Sequence, residues 1–300
     1  QKTYRSIIIH WTKFAGYDTP DQFTEAVKNY YLELNGRQVT GKVLDPYLFL
    51  QSVVAELKKR KPAPITILQK FYCLKKFMEW ESEQSLNGMK LEKLKQTLPK
   101  LRVISTDGVP SDSEILRLVH HSNLRGRVTT MLALTTGCRI GEIAAMRLEW
   151  IDLEADPVAI TIPGTVTKTR VGRTVFTTHE TADLIKQLVG DRKEGPVFLH
   201  MYDKTKAPSA SSLTSGVTRN LEKCGLRDKL DPGSYMHRLH VHSLRKWFYS
   251  KAIASGMAPN YAEVLLGHNI GLDAHYLRAL KEKLPAEYKR IEPALTFLGT

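Results

Sequence analysis

The stretch from His242 to Tyr276 constrains this chain more than any other, because it places reactive side chains among short predicted helices. His242 and Arg245 are three residues apart. A helix that begins near Ser243 would bring both to its first turn, facing one point. The unpaired amides and the positive end of the helix dipole at that turn favour an anion. A site that handles phosphate is therefore the first functional expectation.

A second predicted helix runs from Asn260 to Leu266 and ends at Gly267, a residue type that readily adopts the left-handed helix cap. It delivers His268 just beyond its end. Tyr276 follows on a further helical pattern with apolar neighbours. Arginine and histidine side chains around a phosphodiester, with a tyrosine hydroxyl nearby, are the groups of a nucleophilic site.

The charge of the chain indicates an acidic polymer as partner. Against 31 Asp and Glu residues stand 44 Lys and Arg, which gives a net charge of +13 and an isoelectric point near 9.5. Residues 1–110 hold 18 basic and 11 acidic residues, and the remainder holds 26 and 20. Both halves are therefore expected to contact a polyanion such as nucleic acid. A charge that only keeps the protein soluble is the alternative.

Three cysteines, Cys73, Cys138 and Cys224, are widely spaced and odd in number, which argues against a disulfide framework or a zinc site. No apolar run approaches the roughly 20 residues of a membrane span, and there is no signal-peptide pattern. The sequence therefore predicts a soluble, cytoplasmic protein of a reducing compartment.

Residues 1–100 are predicted to form a helical domain. Turn signals begin helices at Thr19-Pro20, at Asp45-Pro46 and after Pro62, and each helix carries apolar residues at helical spacing. Basic residues of this half are candidates for contacts with a nucleic-acid backbone, although a charge run is more often a solvated face. These candidates are Lys58, Lys59, Arg60, Lys61, Lys75 and Lys76.

The helical pattern breaks after Leu98, so residues 101–110 are predicted to be a linker. Ser111 and Glu114 then form a capping box that begins a second domain, residues 111–283. Residues 284–300 are a C-terminal tail too apolar to stand free. The tail is expected to dock on this molecule or, in trans, on a neighbour.

Arg139 and Glu142 directly follow a predicted buried helix that stops at Gly137. An arginine flanked by apolar residues is expensive to bury unless it meets an anion or a carboxylate. Either Glu142 pairs with Arg139 for structural reasons, or it orients Arg139 toward a ligand phosphate.

Strand signals occur at residues 158–162 and 174–176, with a turn predicted at residues 170–173. Lys168 stands just before that turn. A lysine on a hairpin is ordinarily exposed and without function. A basic tip that holds Lys168, Arg170 and Arg173 nevertheless suits a nucleic-acid groove.

Together these motifs resemble those of the tyrosine recombinase, or phage integrase, family. Their order along the chain is Thr-Gly-Cys-Arg139, the lysine Lys168 before the hairpin turn, His242-Ser-Leu-Arg245, Leu266-Gly267-His268 and Tyr276. The short interval from His268 to Tyr276 is similar to that of archaeal integrase-like sequences. The resemblance by motif covers roughly residues 111–280.

The resemblance implies a mostly α fold of the α+β kind. Residues 1–100 would be a helical core-binding domain for DNA, and residues 111–283 a helical catalytic domain with a small antiparallel sheet. The expected function is a site-specific recombinase or integrase that cleaves and rejoins DNA through a 3′-phosphotyrosyl intermediate. This chemistry needs no metal, no ATP and no other cofactor.

Three residues would hold the phosphate in that scheme, and a fourth would position one of them. Arg139 and Arg245 would grip the non-bridging oxygens, where charge develops in the transition state. His268 would donate to the same phosphate, and Glu142 would hold Arg139 in position.

Three residues would carry out the nucleophilic attack and the proton transfers. Tyr276 would attack the phosphodiester and leave a free 5′-hydroxyl. Lys168 would protonate the 5′-oxygen leaving group, and His242 would serve as general base or proton relay. The competing tyrosines are Tyr261 and Tyr288.

The expected partners are double-stranded DNA and other copies of this chain. The resemblance implies a homo-tetramer on two duplexes, a monomer or weak oligomer without DNA, and association with the nucleoid of a prokaryotic or viral host. The alternatives are an enzyme similar to a type IB topoisomerase and a DNA-binding regulator with a lapsed active site. A metal-dependent nuclease is disfavoured, because the histidines lack carboxylate companions.

Overall fold

The computed structural model describes residues 2–100, 108–229, 237–271 and 274–297, without the side chains of residues 2, 3 and 274–276. The chain divides into two compact units, residues 1–104 and 105–300. The division falls within the segment 101–110. None of the helices in the described ranges is long and apolar enough to cross a membrane.

The first unit is helical throughout its described residues. Prolines occupy the first turn of three of its helices, where their fixed φ suits the helix and their missing N–H is not needed. The predicted starts at Thr19-Pro20 and Asp45-Pro46 are confirmed, and Thr19 and Asp45 cap these helices with their side chains. The helices are α1 (Lys2–Phe14), α2 (Pro20–Leu34), α3 (Pro46–Arg60), α4 (Pro64–Ser82) and α5 (Gly88–Gln96).

The second unit combines helices with a small sheet. Ser111 and Glu114 form the predicted capping box at its first helix. The helices are α6 (Asp112–His121), α7 (Leu124–Thr136), α8 (Ile140–Ala144), α9 (His179–Val189), α10 (Ala210–Lys223), α11 (Val241–Ala254), α12 (Pro259–Leu266) and α13 (Ala274–Ile291). The strands in the described residues are β1 (Ile151–Asp152), β2 (Val158–Ile162) and β3 (Arg173–Thr177).

The sheet is antiparallel in the order β1-β2-β3. Ile160 of β2 is paired with Ile151 of β1 and with Val175 of β3. The strands β2 and β3 were predicted, whereas β1 was not, because two residues are too few to show alternation. Alternate residues of β2 are buried, so one face of the sheet covers the core.

Helix α7 lies at the centre of the second unit. Every residue from Val128 to Thr136 is buried, which explains why its sequence is apolar on all sides. Its buried residues Thr129, Thr135 and Thr136 bond to carbonyls of the helix, and Thr135 also bonds Thr177 of the sheet at 2.7 Å. The residues that follow α7 therefore start from a rigid support.

Residues 284–297 pack on their own unit, which is one of the two ways in which the tail was expected to dock, and the expected boundary at residue 284 falls within α13. Helix α13 continues through Pro285, and Leu284, Tyr288 and Leu295 lie in the core of the second unit. The Tyr288 hydroxyl donates to the Thr135 carbonyl at 2.9 Å. These residues complete the core of their own unit.

Candidate functional site

The turn between α7 and α8 positions Arg139 and Glu142. Gly137 ends α7 with φ +62°, and a β-carbon there would lie 2.5 Å from the Phe248 ring of α11. Arg139 comes next but one, as the residue that precedes α8. Glu142 accepts the Arg139 backbone N–H at 2.9 Å and its Nη1 at 3.2 Å. Glu142 therefore holds both the backbone and the side chain of Arg139, whose side chain keeps 29% exposure.

Arg173 is buried, so the expectation that it belongs to an exposed basic hairpin tip is wrong. The connection between β2 and β3 spans residues 163–172, longer than predicted, which moves Arg173 into the strand. Its Nη1 and Nη2 donate to the two carboxylate oxygens of Glu142 at 3.1 and 2.7 Å. Its Nε donates to the Leu265 carbonyl at 2.8 Å. Arg173 ties β3 to α8 and α12, and it is not placed to contact a DNA backbone.

Arg245 lies in the second turn of α11 and is also buried, with 4% exposed. Its Nη1 donates to the Gly137 carbonyl at 2.5 Å, and its Nη2 donates to the Leu266 carbonyl at 2.7 Å and to His268 Nε2 at 2.9 Å. Within the described ranges, no carboxylate lies at ion-pair distance from Arg245. A buried guanidinium without a carboxylate partner is a candidate anion site.

The structure brings Arg139 and Arg245 together. Burial is the largest cause that lowers the pKa of Arg245 from its usual value to about 10, and repulsion from Arg139 is the next. Two guanidinium groups that repel each other are both stabilised by an anion placed between them. Their planar donor arrays match the oxygens of a phosphate. The two predicted arginines therefore lie close enough to repel each other, as two residues that bind one anion would.

His268 lies beside this pocket, at the end of α12. Gly267 adopts φ +69°, and the His268 N–H returns to the Glu263 carbonyl at 3.1 Å. The His268 ring is held from both sides, since Nε2 accepts from Arg245 and Nδ1 bonds to the Glu263 carboxylate. Glu263 also bonds Tyr249, whose pKa is raised by burial and then by the charge and hydrogen bond of Glu263.

Lys168 and Arg170 are exposed on the connection between β2 and β3. Thr167 braces this loop by donating to the Gly164 and Val171 carbonyls, both at 3.1 Å. The loop borders a cavity of about 450 Å³ that His268 also lines. The predicted lysine is therefore carried by a loop next to His268, and no described contact joins it to the arginines.

His242 is exposed in the first turn of α11, which begins two residues earlier than predicted. The predicted second helix fits α12 within one residue at its start, and Gly267 caps it as expected. The ring of His242 lies 6.2 Å from that of His240, the residue that caps α11. His242 and Arg245 are thus separated by about one helical turn.

Tyr276 belongs to the first turn of α13, but its side chain lies outside the described residues. Neither competing tyrosine is suited to nucleophilic attack. Tyr288 is fully buried, and burial raises its pKa well above the usual value. Tyr261 is half-buried and packs against the core.

The basic candidates of the first unit differ in their availability. Lys75 is paired with Glu79 and has 16% of its side chain exposed, so it is poorly placed for a DNA backbone. Lys59 and Arg60 are exposed but pair with Glu56. Lys58, Lys61 and Lys76 are exposed as well. The run at the end of α3 is thus the accessible basic surface of this set.

Two positioning residues were missed from the sequence, Arg173 and Glu263. Arg173 was assigned to the wrong role because its partner Glu142 lies 31 residues away along the chain. Glu263 had a usable signal in the sequence. It stands one helical turn before the Gly267 cap, so its side chain can reach His268, the residue that follows the cap. No comparable local signal existed for Arg173.

One group of possible metal ligands is found in the described residues, Asp156, His179 and Glu292. The Lys289 ammonium pairs with Asp156. A cation would have to displace that lysine, so the group is a poor metal site. The arginine pocket has donors only toward an anion and does not resemble a metal site.

Comparisons with known proteins bear on the family and the fold of this chain. The profile of the phage integrase family matches residues 111–282. A tyrosine recombinase of Pseudothermotoga lettingae is 23% identical over 257 residues, which cover 82% of each chain.

Solved structures share the fold at low identity. The Tn1549 transposon integrase in complex with transposon right end DNA gives a TM-score of 0.58 at 14% identity, covering 94% of this chain and 99% of that one. A lambda integrase tetramer bound to a Holliday junction gives 0.55 at 15% identity, covering 95% and 77%. The integrase from mycobacterium phage Brujita gives 0.51 at 17% identity, covering 97% and 96%. The predicted fold class, mostly α with a small antiparallel sheet, is confirmed.

Proposed function

The chain belongs to the phage integrase family, the tyrosine recombinases, and we propose that it cleaves and rejoins duplex DNA at specific sites through a 3′-phosphotyrosyl intermediate on Tyr276. The observation that carries this proposal is the shared pocket of Arg139 and Arg245. Arg245 is buried without a described carboxylate partner, which fits a site that is completed by a substrate phosphate.

In the proposed reaction, the two arginines bind the non-bridging oxygens of the scissile phosphate. Glu142 keeps Arg139 in place, and Arg173 in turn keeps Glu142 in place. Preorganised donors of this kind contribute on the order of 3 kcal/mol each to the transition state. Glu142 holds Arg139 and the Gly137 carbonyl holds Arg245 Nη1, so the reorganisation needed when the DNA arrives is confined to Arg245 Nη2.

Proton transfer is assigned to the remaining residues. Tyr276 forms the bond to phosphorus and loses its proton, with His242 as the acceptor or relay. Lys168 gives a proton to the departing 5′-oxygen, and its loop beside His268 supports this role. The phosphotyrosyl link conserves the energy of the broken bond, so rejoining to a second strand needs neither ATP nor a metal ion.

The partner is proposed to be double-stranded DNA. A net charge of +13 supports binding to a polyanion. The solved relatives include integrases bound to DNA and a tetramer on a Holliday junction. By analogy we propose that four copies of this chain act together on two duplexes.

A suicide substrate tests the proposal directly. A nicked duplex, carrying a site selected from random sequences by binding to the chain, should accumulate a covalent protein–DNA adduct. Tyr276→Phe should abolish the adduct and Tyr261→Phe should retain it, because only the first removes the proposed nucleophile. Mapping the DNA-linked peptide to any other residue would contradict the assignment.

Intact duplexes and a supercoiled plasmid that carry the same selected site separate recombination from its alternatives. Two differently marked duplexes should yield exchanged strands. If supercoils are relaxed and no strands are exchanged, the enzyme is of the topoisomerase type. If binding occurs without any adduct, the chain is a regulator.

A further inference from the structure

The hydrogen bonds of His268 define its protonation state in the DNA-free protein. A guanidinium has donors only. Since Arg245 Nη2 lies 2.9 Å from His268 Nε2, that nitrogen must accept, and it therefore carries no proton. The single ring proton is on Nδ1, where it is donated to Glu263. The imidazole is thus neutral, with its acceptor side toward the anion pocket.

This state differs from the one that the proposed reaction needs. A hydrogen bond from His268 to a phosphate oxygen requires a proton on Nε2. When Arg245 turns its Nη2 toward a phosphate, Nε2 loses its donor and faces an anion. A proton taken from solvent then fits on Nε2, while the Nδ1 proton stays with the Glu263 carboxylate.

We propose that Glu263 is a positioning residue that makes His268 a proton-coupled phosphate clamp, in which binding of the scissile phosphate draws a proton onto Nε2 and Glu263 balances the added charge. This inference rests on the proposed function and deepens it. Glu263 touches neither the phosphate nor the tyrosine. It acts only through the orientation and charge of His268.

The charges around His268 favour such coupling. Arg245 faces the ring from α11 with Arg139 behind it, and the Arg173 guanidinium of β3 lies under Gly267, 2.9 Å from where a β-carbon would stand. Lys281 of α13 lines the same cavity. These cations oppose a charged imidazole in the empty site, and Glu263 is the described carboxylate that contacts the ring. A bound phosphate would instead stabilise the charged imidazole, because its negative charge offsets these cations.

The residue Glu287 provides a matched control. Its side chain is 27% exposed and bonds Arg290 at 2.7 Å, whereas that of Glu263 is 28% exposed and bonds His268. Replacing either glutamate by glutamine removes one charge from a helix surface at equal exposure. Only Glu263→Gln changes the surroundings of the ring.

The first test is an NMR titration of the full chain with labelled histidine and arginine side chains, in phosphate against chloride at equal ionic strength. Phosphate should move the His268 Nε2 signal from the range of an unprotonated nitrogen to that of a protonated one. Glu263→Gln should weaken this change, and Glu287→Gln should not. If the Arg139 and Arg245 signals respond to phosphate and Nε2 does not, the clamp is wrong. If none of them responds, the anion pocket and the proposed function fail together.

The second test is the pH profile of single-turnover cleavage of the suicide substrate. A protonated clamp predicts that cleavage falls as pH rises above neutrality. In Glu263→Gln this fall should begin about one pH unit lower, since an adjacent carboxylate favours the charged imidazole by at least that amount. The variant should therefore be ~10-fold slower on the alkaline side and near normal at acid pH. An equal loss at every pH would indicate a merely structural role and would overturn the proposal.

Discussion

Two arginines are buried in the second unit. Arg173 begins β3 and is 8% exposed, and Arg245 lies near the start of α11 and is 4% exposed. Their surroundings differ. Arg173 forms a two-pronged ion pair with Glu142, whereas Arg245 donates to two backbone carbonyls and to the His268 ring.

The pKa values of the two groups move in opposite directions. Burial alone would lower the pKa of Arg173, yet the hydrogen bonds and charge of Glu142 raise it above its usual value. The pKa of Arg245 is lowered to about 10 by burial and by Arg139. This lowering of the Arg245 pKa from its usual value disfavours the charged form of Arg245 by ~3 kcal/mol. Arg173 has its counter-ion in the fold, and Arg245 obtains one only from a ligand.

The comparison shows that a buried arginine can have one of two roles, stabilising the fold or binding a substrate. An arginine paired within the protein stabilises the fold and has no capacity left for substrate. An arginine that is held only by carbonyls is oriented but not neutralised. Burial alone does not distinguish these two roles, whereas the charge of the partners does.

The largest effect on stability is expected for Arg173→Met. This change leaves the buried Glu142 carboxylate with Arg139 as its remaining described partner, and breaking a buried pair typically destabilises by about 3–5 kcal/mol. Hydrogen exchange of the α7 amides measures the unfolding free energy of the second unit. Adding Glu142→Gln should recover part of the loss, because the uncompensated charge is then removed. If the unfolding free energy of Arg173→Met fell by less than ~1 kcal/mol, the Arg173–Glu142 pair would not stabilise the fold as the comparison requires.

Arg245→Met is expected to reduce cleavage strongly and stability only slightly. Cleavage of the suicide substrate should fall by about 10²–10³-fold, because one donor to the developing charge is removed. The unfolding free energy should change by less than ~1.5 kcal/mol, since the lost hydrogen bonds are offset by removal of an uncompensated buried charge. Arg245→Lys provides the control, as it keeps the charge without the planar donors. A stability loss as large as that of Arg173→Met would show that Arg245 also has a structural counter-ion.

The local elements could be predicted from the sequence because their signals are local. Thr19-Pro20 and Asp45-Pro46 give helix starts, and Gly267 gives a helix end with His268 behind it. The order of the motifs was enough to select Arg139 and Arg245. Their convergence could be expected from the family resemblance, although no pattern in the chain measures it.

The errors concern contacts between residues that are distant in the sequence. Arg173 stands near Arg170 in the chain, and only the length of the β2–β3 connection decides which of them is buried. The tail was separated from the second unit although Leu284 and Tyr288 are one helical turn apart on a single stripe. Pro285 lies between them within α13, and tertiary packing sustains the helix there.

The smallest effect is the response of stability to acid, which should depend on Arg173 and not on Arg245. Burial alone would raise the pKa of Glu142, but the hydrogen bond and charge of Arg173 lower it below the usual value. A carboxyl whose pKa is lower in the folded state adds stability above its unfolded pKa of about 4.3, and this stability is lost as the pH falls further. The exchange-derived unfolding free energy should therefore fall as the pH drops below that value. Arg245→Met should show the same acid dependence as the parent chain, because the described hydrogen bonds and ion pairs of Glu142 come from Arg173 and Arg139. In Glu142→Gln and in Arg173→Met the dependence should shrink, and an unchanged dependence in both would mean that Glu142 is not the counter-ion that distinguishes the two arginines.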